Sequence, residues 1–384
     1  MFKMKYLGIL ILLLMVVISC NTNHSVKINN KKEITLNGLE NSYFESIQNF
    51  IYNGKNAIGY LIKNDSTVLL VLSNEEGNIL NQIKIDFNIF KEQYYADIFS
   101  FLNCIKNDSI IFVSGEKEIC IYNNNKVQKV DLNFKTEQDY NLLSSKSFSL
   151  TRINDSILLA HIIRKINQST PEGRAEYFKY PPLIFINIKE ENAENVKNIN
   201  IYFPYFVKLD SGYYIDQQME YAVENNNIYY LMKRSPLIYK KNLKIGILDS
   251  SIIESNYIKL EEIIPFDDKY LFSKDYYSNV IEYSYEIPKF SYLFFNKDLS
   301  ILYRVNSIST PYEKNGKRTN YRNWSVSVID TNLNLIGEIP FLNDSLYNFF
   351  NFIPSSKGFI VGYKQTNEDK RLKRTRLCEF EISF

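Results

Sequence analysis

"DIFSFLNCIKNDSIIFVSGEKEICIYNNNKVQKVDL", residues 97–132, divides into four apolar runs near 97–105, 109–113, 117–122 and 126–132. The breaks "KNDS", "SGEK" and "NNN" are built from Asn, Asp, Gly and Ser, which tolerate left-handed backbone or cap it with their own side chains. "SIIFV" is apolar on both faces, whereas "KVQKVDL" is mixed. The stretch therefore predicts an antiparallel meander, buried on its inner side and wet at its outer edge.

The pattern recurs. Residues 46–86, 146–203, 218–260 and 290–341 each supply four such runs, the fourth run of 218–260 being "NYIKL" at 256–260. The last unit supplies three, "YNFFNFI", "GFIVGY" and "RLCEFEISF". Four strands every 40–50 residues or so is the mark of a β-propeller. The expectation is an all-β, six-bladed β-propeller of four-stranded antiparallel blades. "KKEITL" at 31–36 is expected to supply the strand missing from the last blade, closing the ring and removing the open sheet edges. The segment 265–288 fits no blade and reads as a short helix or an outer excursion.

Ahead of the repeats, "ILLLMVVISCNT" at 11–22 follows lysines at 3 and 5. The apolar run 6–18 is short of the roughly 20 residues that a bilayer core requires and suits a secretory signal. Its end, Val17-Ile18-Ser19-Cys20, is similar to a bacterial lipoprotein signal, although Ile18 stands where a small residue is usual. The domain expectation is a signal peptide over 1–19, lipidated Cys20 with a flexible tether over 20–30, and a single propeller domain over 31–384. Acylation of Cys20 would anchor the protein to a membrane.

Together with that signal, "IQNF", "YLFFNKDLSILYRV" and "SVSVIDTNLNLIGEIPF" resemble a family of Bacteroides-type lipoproteins. That family is a domain of unknown function related to TolB-like six-bladed propellers. The resemblance implies the fold and a lipid-anchored place in a Gram-negative cell envelope, periplasm-facing or at the outer-membrane surface. It implies no catalytic residues.

Composition narrows the chemistry. Lys and Arg number 45 against 43 Asp and Glu, so bulk charge offers no argument for nucleic acid, and none is expected as a partner. The two histidines, His24 in the tether and His161 in "SILLAHII", leave too few ligands for a zinc site. His161 reads as a core residue. No phosphate loop, nucleophile elbow or calcium loop occurs, and neither cofactor nor metal is expected. Cys104, Cys120 and Cys378 sit in apolar strand contexts. Adjacent acid pairs such as Glu75–Glu76 and Asp267–Asp268 read as solvated loop residues.

Two features remain. "NDS" occurs at 64–66, 107–109, 154–156 and 343–345, each time followed by Thr, Ile or Leu, but out of phase with the strands. It reads as a turn; it is also similar to the Asp-Ser/Thr-aliphatic signal for O-glycosylation in Bacteroides-type proteins, with Ser66, Ser109, Ser156 and Ser345 as acceptors. The second feature is the set of loops joining strands two and three, which are long or basic in "RKINQSTPEGRAEYFKYPP", "KRSP", "NSISTPYEKNGKRTNYRN" and "KQTNEDKRLKRTR". On a propeller they share one face with the blade-to-blade connections. Arg174, Tyr177, Tyr180, Arg234, Arg318, Arg322, Trp324 and Arg374 are the residues expected to build a binding face there, since Arg reads carboxylate and phosphate in pairs of bonds. The functional expectation is a non-catalytic binding protein or scaffold for an anionic glycan, a lipid headgroup or an envelope protein. The alternative is a polysaccharide-acting hydrolase or lyase using carboxylates or Tyr on that face.

Overall fold

The computed structural model describes residues 26–37, 43–52, 55–63, 67–86, 110–115, 118–123, 126–132, 140–142, 150–154, 156–164, 170–178, 182–189, 196–199, 201, 219–270, 273–314, 317–372 and 374–384. Strand β1 (Lys27–Asn37) comes first. A meander follows of β2 (Tyr43–Tyr52), β3 (Lys55–Lys63), β4 (Thr67–Ser73) and β5 (Ile79–Asp86). β6 (Ile110–Gly115), β7 (Glu118–Asn123) and β8 (Lys126–Asp131) form a three-stranded sheet. β9 (Tyr140–Leu142) and β10 (Thr151–Arg152) both pair with β11 (Ile157–Arg164), which continues to β12 (Leu183–Asn187) and β13 (Val196–Asn198). β14 (Met219–Glu224), β15 (Asn227–Met232), β16 (Leu237–Asn242) and β17 (Leu248–Ile252) make the next meander. After it come β18 (Lys289–Asn296) and β19 (Ile301–Ile308), an inserted hairpin of β20 (Glu313–Lys314) and β21 (Lys317–Arg318), then β22 (Arg322–Asp330) and β23 (Leu335–Asp344). β24 (Tyr347–Ser355), β25 (Gly358–Tyr363) and β26 (Arg374–Ser383) complete the chain.

The small antiparallel sheets adopt a β-propeller arrangement, with five blades of at least four strands in place of the expected six. The difference lies in the β6–β8 sheet, whose expected first strand, 97–105, falls outside the described residues. β1 pairs antiparallel with β26, setting Ile34 opposite Leu377 and Leu36 opposite Thr375, so the two ends of the chain share a blade as expected. Ile34 and Leu36 are buried there.

The blades pack face to face, and strands between two such cores, such as β19, have all eight residues buried. Ile119 and Val130 meet Leu158 and Ile186. Leu159 and Leu183 meet Ile228 and Tyr230. Tyr229 and Ile238 meet Phe290 and Leu302. Tyr303 and Val326 meet Phe352 and Phe359. Ile353 and Ile360 meet Ile58 and Tyr60, so the last blade packs on the first. Between β5 and β7 the Tyr122 hydroxyl donates to the Lys84 carbonyl at 3.0 Å. Stability is thus distributed over many narrow cores instead of one central one.

The turns have a common chemistry. Asn74, Asn242 and Asp330 each begin a strand-three-to-four turn, and their side-chain oxygens accept backbone N–H groups two to four residues ahead. Gly358 is required where β25 starts: a Cβ there would lie 2.1 Å from the Phe380 carbonyl oxygen.

Two local expectations need correction or refinement. The outer strand of the β14–β17 blade is β17, not 256–260. Ile258 is apolar because it plugs the space between blades beside Ile253, and the Ser255–Ile258 bridge and Glu338 hold that segment. The segment 265–288, which fits no strand, contains the helix Tyr276–Glu286.

Candidate functional site

In a meander the loops from strand two to strand three and the connections from strand four to the next blade emerge on the same side. The helix Tyr276–Glu286 belongs to such a connection, and the hairpin β20–β21 and the helix Asn367–Arg371 belong to such loops. The long loop 164–182 carries a further helix, Pro171–Phe178. These loops therefore carry secondary structure of their own, and the side chains explain how it is held.

Tyr283 is the buried residue of the helix Tyr276–Glu286; its hydroxyl donates to the Ile264 carbonyl at 2.7 Å and its ring meets Phe266 edge-on. Arg234, from the short "KRSP" loop, donates to the carbonyls of Ile287 and Pro288 at 3.0 and 2.7 Å and lies 4.8 Å from the Tyr283 ring centroid. Two carbonyls just past the helix end thus meet a buried cation. Arg322 covers the Tyr285 ring, 3.0 Å from its centroid, and donates to the Ser284 carbonyl. Tyr285 in turn meets Tyr312, which leads into the hairpin, and Thr319 closes the hairpin base by donating to the Pro311 carbonyl at 2.7 Å.

The helix Asn367–Arg371 is short and depends on its cap. Thr366 and Asp369 form a reciprocal capping box, and the Asp369 carboxylate also accepts from Arg374 at 2.8 Å and Arg376 at 3.0 and 3.1 Å. These donors hold Asp369 well below the usual carboxylate range, Arg376 contributing most. Lys364 donates to the carbonyls of Asn320 and Asp344 and so joins neighbouring blades.

The expected face residues consequently divide. Arg234, Arg322 and Arg374 lie on the face but spend their hydrogen bonds inside it. Trp324 is wholly buried, stacked on Phe341 at 3.9 Å with its indole N–H on Asp344 at 2.7 Å, so it offers no surface to a ligand. Tyr177 packs against the core of the β11 and β14 blades, and burial pushes its phenol up to about 12. The backbones of Arg174 and Arg318 lie in the helix Pro171–Phe178 and in β21, while their side chains, Tyr180 and Cys20 are outside the described residues. Lys370 and Arg371 are the exposed cations of the helix Asn367–Arg371.

Of the four Asp-Ser sites, Ser66 and Ser109 lie outside the described residues. At 154–156 Asn154 accepts from the Ser156 and Ile157 N–H groups, whereas at 343–345 it is Asp344 that accepts, from Leu346 and Tyr347. The motif serves two different turns, which accounts for its shifting phase. Ser345 is exposed and Ser156 half-buried.

Two polar clusters went unseen in the sequence. Glu220 on β14 pairs with Lys233 at 3.1 Å, both buried, and burial raises the carboxyl to about 7 against the opposing pull of Lys233. The nearby His161 is buried and held at about 3, by desolvation first and Lys233 second, so it is neutral at pH 7. The second cluster centres on Glu338, which accepts from Ser255, Asn306 and Ser325 at 2.7, 2.9 and 2.5 Å. Beside it Arg304 donates to the Ile253 carbonyl at 2.7 Å. "ILYRVNSI" against "WSVSVID" was the available signal: Arg304 and Asn306 share one face and stand opposite Ser327 and Ser325. Among the described residues no three His, Cys, Asp or Glu side chains converge as a metal site.

This architecture has a precedent. The chain shares its fold with a crystal structure of a DUF4221 family member from Bacteroides vulgatus, at TM-score 0.69 and 14% identity over 94% of this chain and 99% of that one. A putative exported protein from Bacteroides fragilis aligns over 94% of this chain and 97% of that one, at 12% identity and TM-score 0.47. No family model and no curated protein matches the sequence.

Proposed function

We propose that this chain is a lipid-anchored envelope propeller of the DUF4221 type that binds an anionic glycan, a lipid headgroup or an envelope protein on its loop face without transforming it. The observation that carries the reading is the internal bracing of that face. Arg234, Arg322, Arg374 and Arg376 are committed to carbonyls, aromatic rings and Asp369, which fixes two helices and a hairpin in place. A surface ordered in advance loses little conformational entropy when a partner arrives. In this reading the arginines position the platform, and the exposed Lys370, Arg371 and Tyr277, together with Arg174, Tyr180 and Arg318, make the contacts.

Support for the envelope address comes from the 1–20 segment, with Cys20 as the acylated residue. The acceptors Ser66, Ser109, Ser156 and Ser345 would then be modified during export. The test is a binding screen of the lipidated protein against acidic glycans, anionic vesicles and envelope extracts. Lys370→Glu with Arg371→Glu should weaken the captured ligand about tenfold and flatten its salt dependence. A ligand whose affinity ignores both the double variant and ionic strength would sink the proposal.

A further inference from the structure

The outer edges of the sheets are β5, β8, β13, β17, β23 and β1. Five of them carry a feature that blocks edge-to-edge pairing. β5 has Lys84, β8 has Lys126 and Lys129, and β1 has Lys27, Lys31 and Lys32. β13 is three residues long and β23 contains Pro340. β17 is different. Its edge is apolar and open to solvent: Ile247 and Ile252 are 62% exposed, Leu248 54% and the preceding Ile245 68%. Its lone charge, Asp249, stands in register with Lys240 of the adjacent strand.

The backbone of β17 is poised for a partner. The Asn242 N–H donates to the Ile247 carbonyl and the Ile253 N–H to the Pro236 carbonyl, so the odd-numbered residues face β16. Strand alternation turns the N–H and C=O groups of Leu248, Ser250 and Ile252 outward. Around Ser250 the sequence Ile247-Leu248-Asp249-Ser250-Ser251-Ile252-Ile253 reads nearly the same in both directions. A second copy related by a two-fold axis through Ser250 would set Leu248 opposite Ile252 and Asp249 opposite Ser251, twice over. Every outward backbone group would meet its counterpart, the Ser250 N–H exchanging its present acceptor, the Asp249 carboxylate at 2.8 Å, for the second copy's carbonyl, and no carboxylate would face another directly. Centring the axis on Asp249 would oppose like charges and mismatch the backbone.

We infer that β17 is a self-complementary edge through which two copies of this chain pair, joining two blades into one continuous antiparallel sheet. The occupant is a second copy because the pattern is symmetric in both side chains and backbone, as an isologous contact requires.

The test is sedimentation equilibrium of the full chain in detergent, with variants chosen to spare the blade. Ser250→Pro removes an outward N–H together with its bond to the exposed Asp249 carboxylate but no bond to β16, a position where edge strands tolerate proline. Ile252→Lys puts a charge on the apolar edge. The wild type should show a monomer–dimer equilibrium, and each variant should weaken it by about tenfold or more. Should either variant fold poorly, Ser250→Cys keeps the question open to measurement. The two-fold axis brings both copies of that residue to a Cα separation of about 5.5 Å, so a short thiol cross-linker should join them in a dimer mapped to that residue. A wild type monomeric at all concentrations overturns the inference. So does a dimer indifferent to both substitutions, a Ser250→Cys chain that does not cross-link, or an edge that captures extended peptides but not a second copy.

Discussion

Glu220 and His161 put two buried ionisable groups around Lys233 with opposite consequences for stability. Glu220 holds its proton more tightly folded than unfolded, so its favourable contribution is full below pH ~4.3 and is lost as pH rises through about 7. His161 behaves in reverse: its contribution is full above pH ~6.5 and is lost as pH falls through about 3. Glu220→Gln should therefore gain on the wild type in melting temperature as pH rises from roughly 5 to 8, and His161→Gln as pH falls from roughly 6 to 3. Parallel pH profiles for variants and wild type would contradict this assignment. Glu338 makes a different case, because it is a hub of accepted bonds. Glu338→Ala would take the acceptor from the hydroxyls of Ser255 and Ser325, while the buried Asn306 amide keeps Ser325 and Ser327 as acceptors, and should cost about 1–3 kcal/mol by chemical denaturation. A loss well under 1 kcal/mol would show that water replaces the carboxylate.

At the scale of elements, the loop face is braced by cations lying on rings and carbonyls. Arg322→Ala removes a desolvated cation–π contact and a bond to the Ser284 carbonyl, together about 2–3 kcal/mol of local support. Hydrogen exchange should quicken in the helix Tyr276–Glu286 and around Tyr312 while the strands of other blades keep their protection. Uniform loss of protection would mean that the residue supports the whole ring. The legibility of these elements differed with their chemistry. Strands were readable because turn residues and apolar runs alternate along the chain, as in "NIYYLM" and "GFIVGY". "YIKL" misled because Ile258 is buried as a plug between blades, and burial alone does not distinguish a plug from a strand. Trp324 and Arg322, two positions apart in one loop-to-strand junction, both read as face residues. Only packing shows that one is core and the other a brace.

For the molecule as a whole, closure is the property with the widest consequence. β1 supplies the outer strand of the last blade and buries Ile34 and Leu36 at the junction with the first. Ile34→Asp with Leu36→Asp should detach that strand, expose the β26 edge and lower the melting temperature by roughly 10 °C or more, with aggregation on heating. A variant that melts like the wild type would place the closing energy elsewhere, in the cluster of Ile353, Ile360 and Tyr60.

The sequence by itself determined the repeating meanders, the turn chemistry, the pairing of the two chain ends in one blade and the absence of a bulk charge bias. All of these follow from local periodicity and composition. Tertiary structure alone decided which cations on the loop face are spent internally, that Trp324 is core, and that Glu220, Lys233 and His161 meet. It also decided that the β17 edge is left open. Those outcomes depend on which side chains meet across strands and between blades, and spacing along one chain carries no record of that.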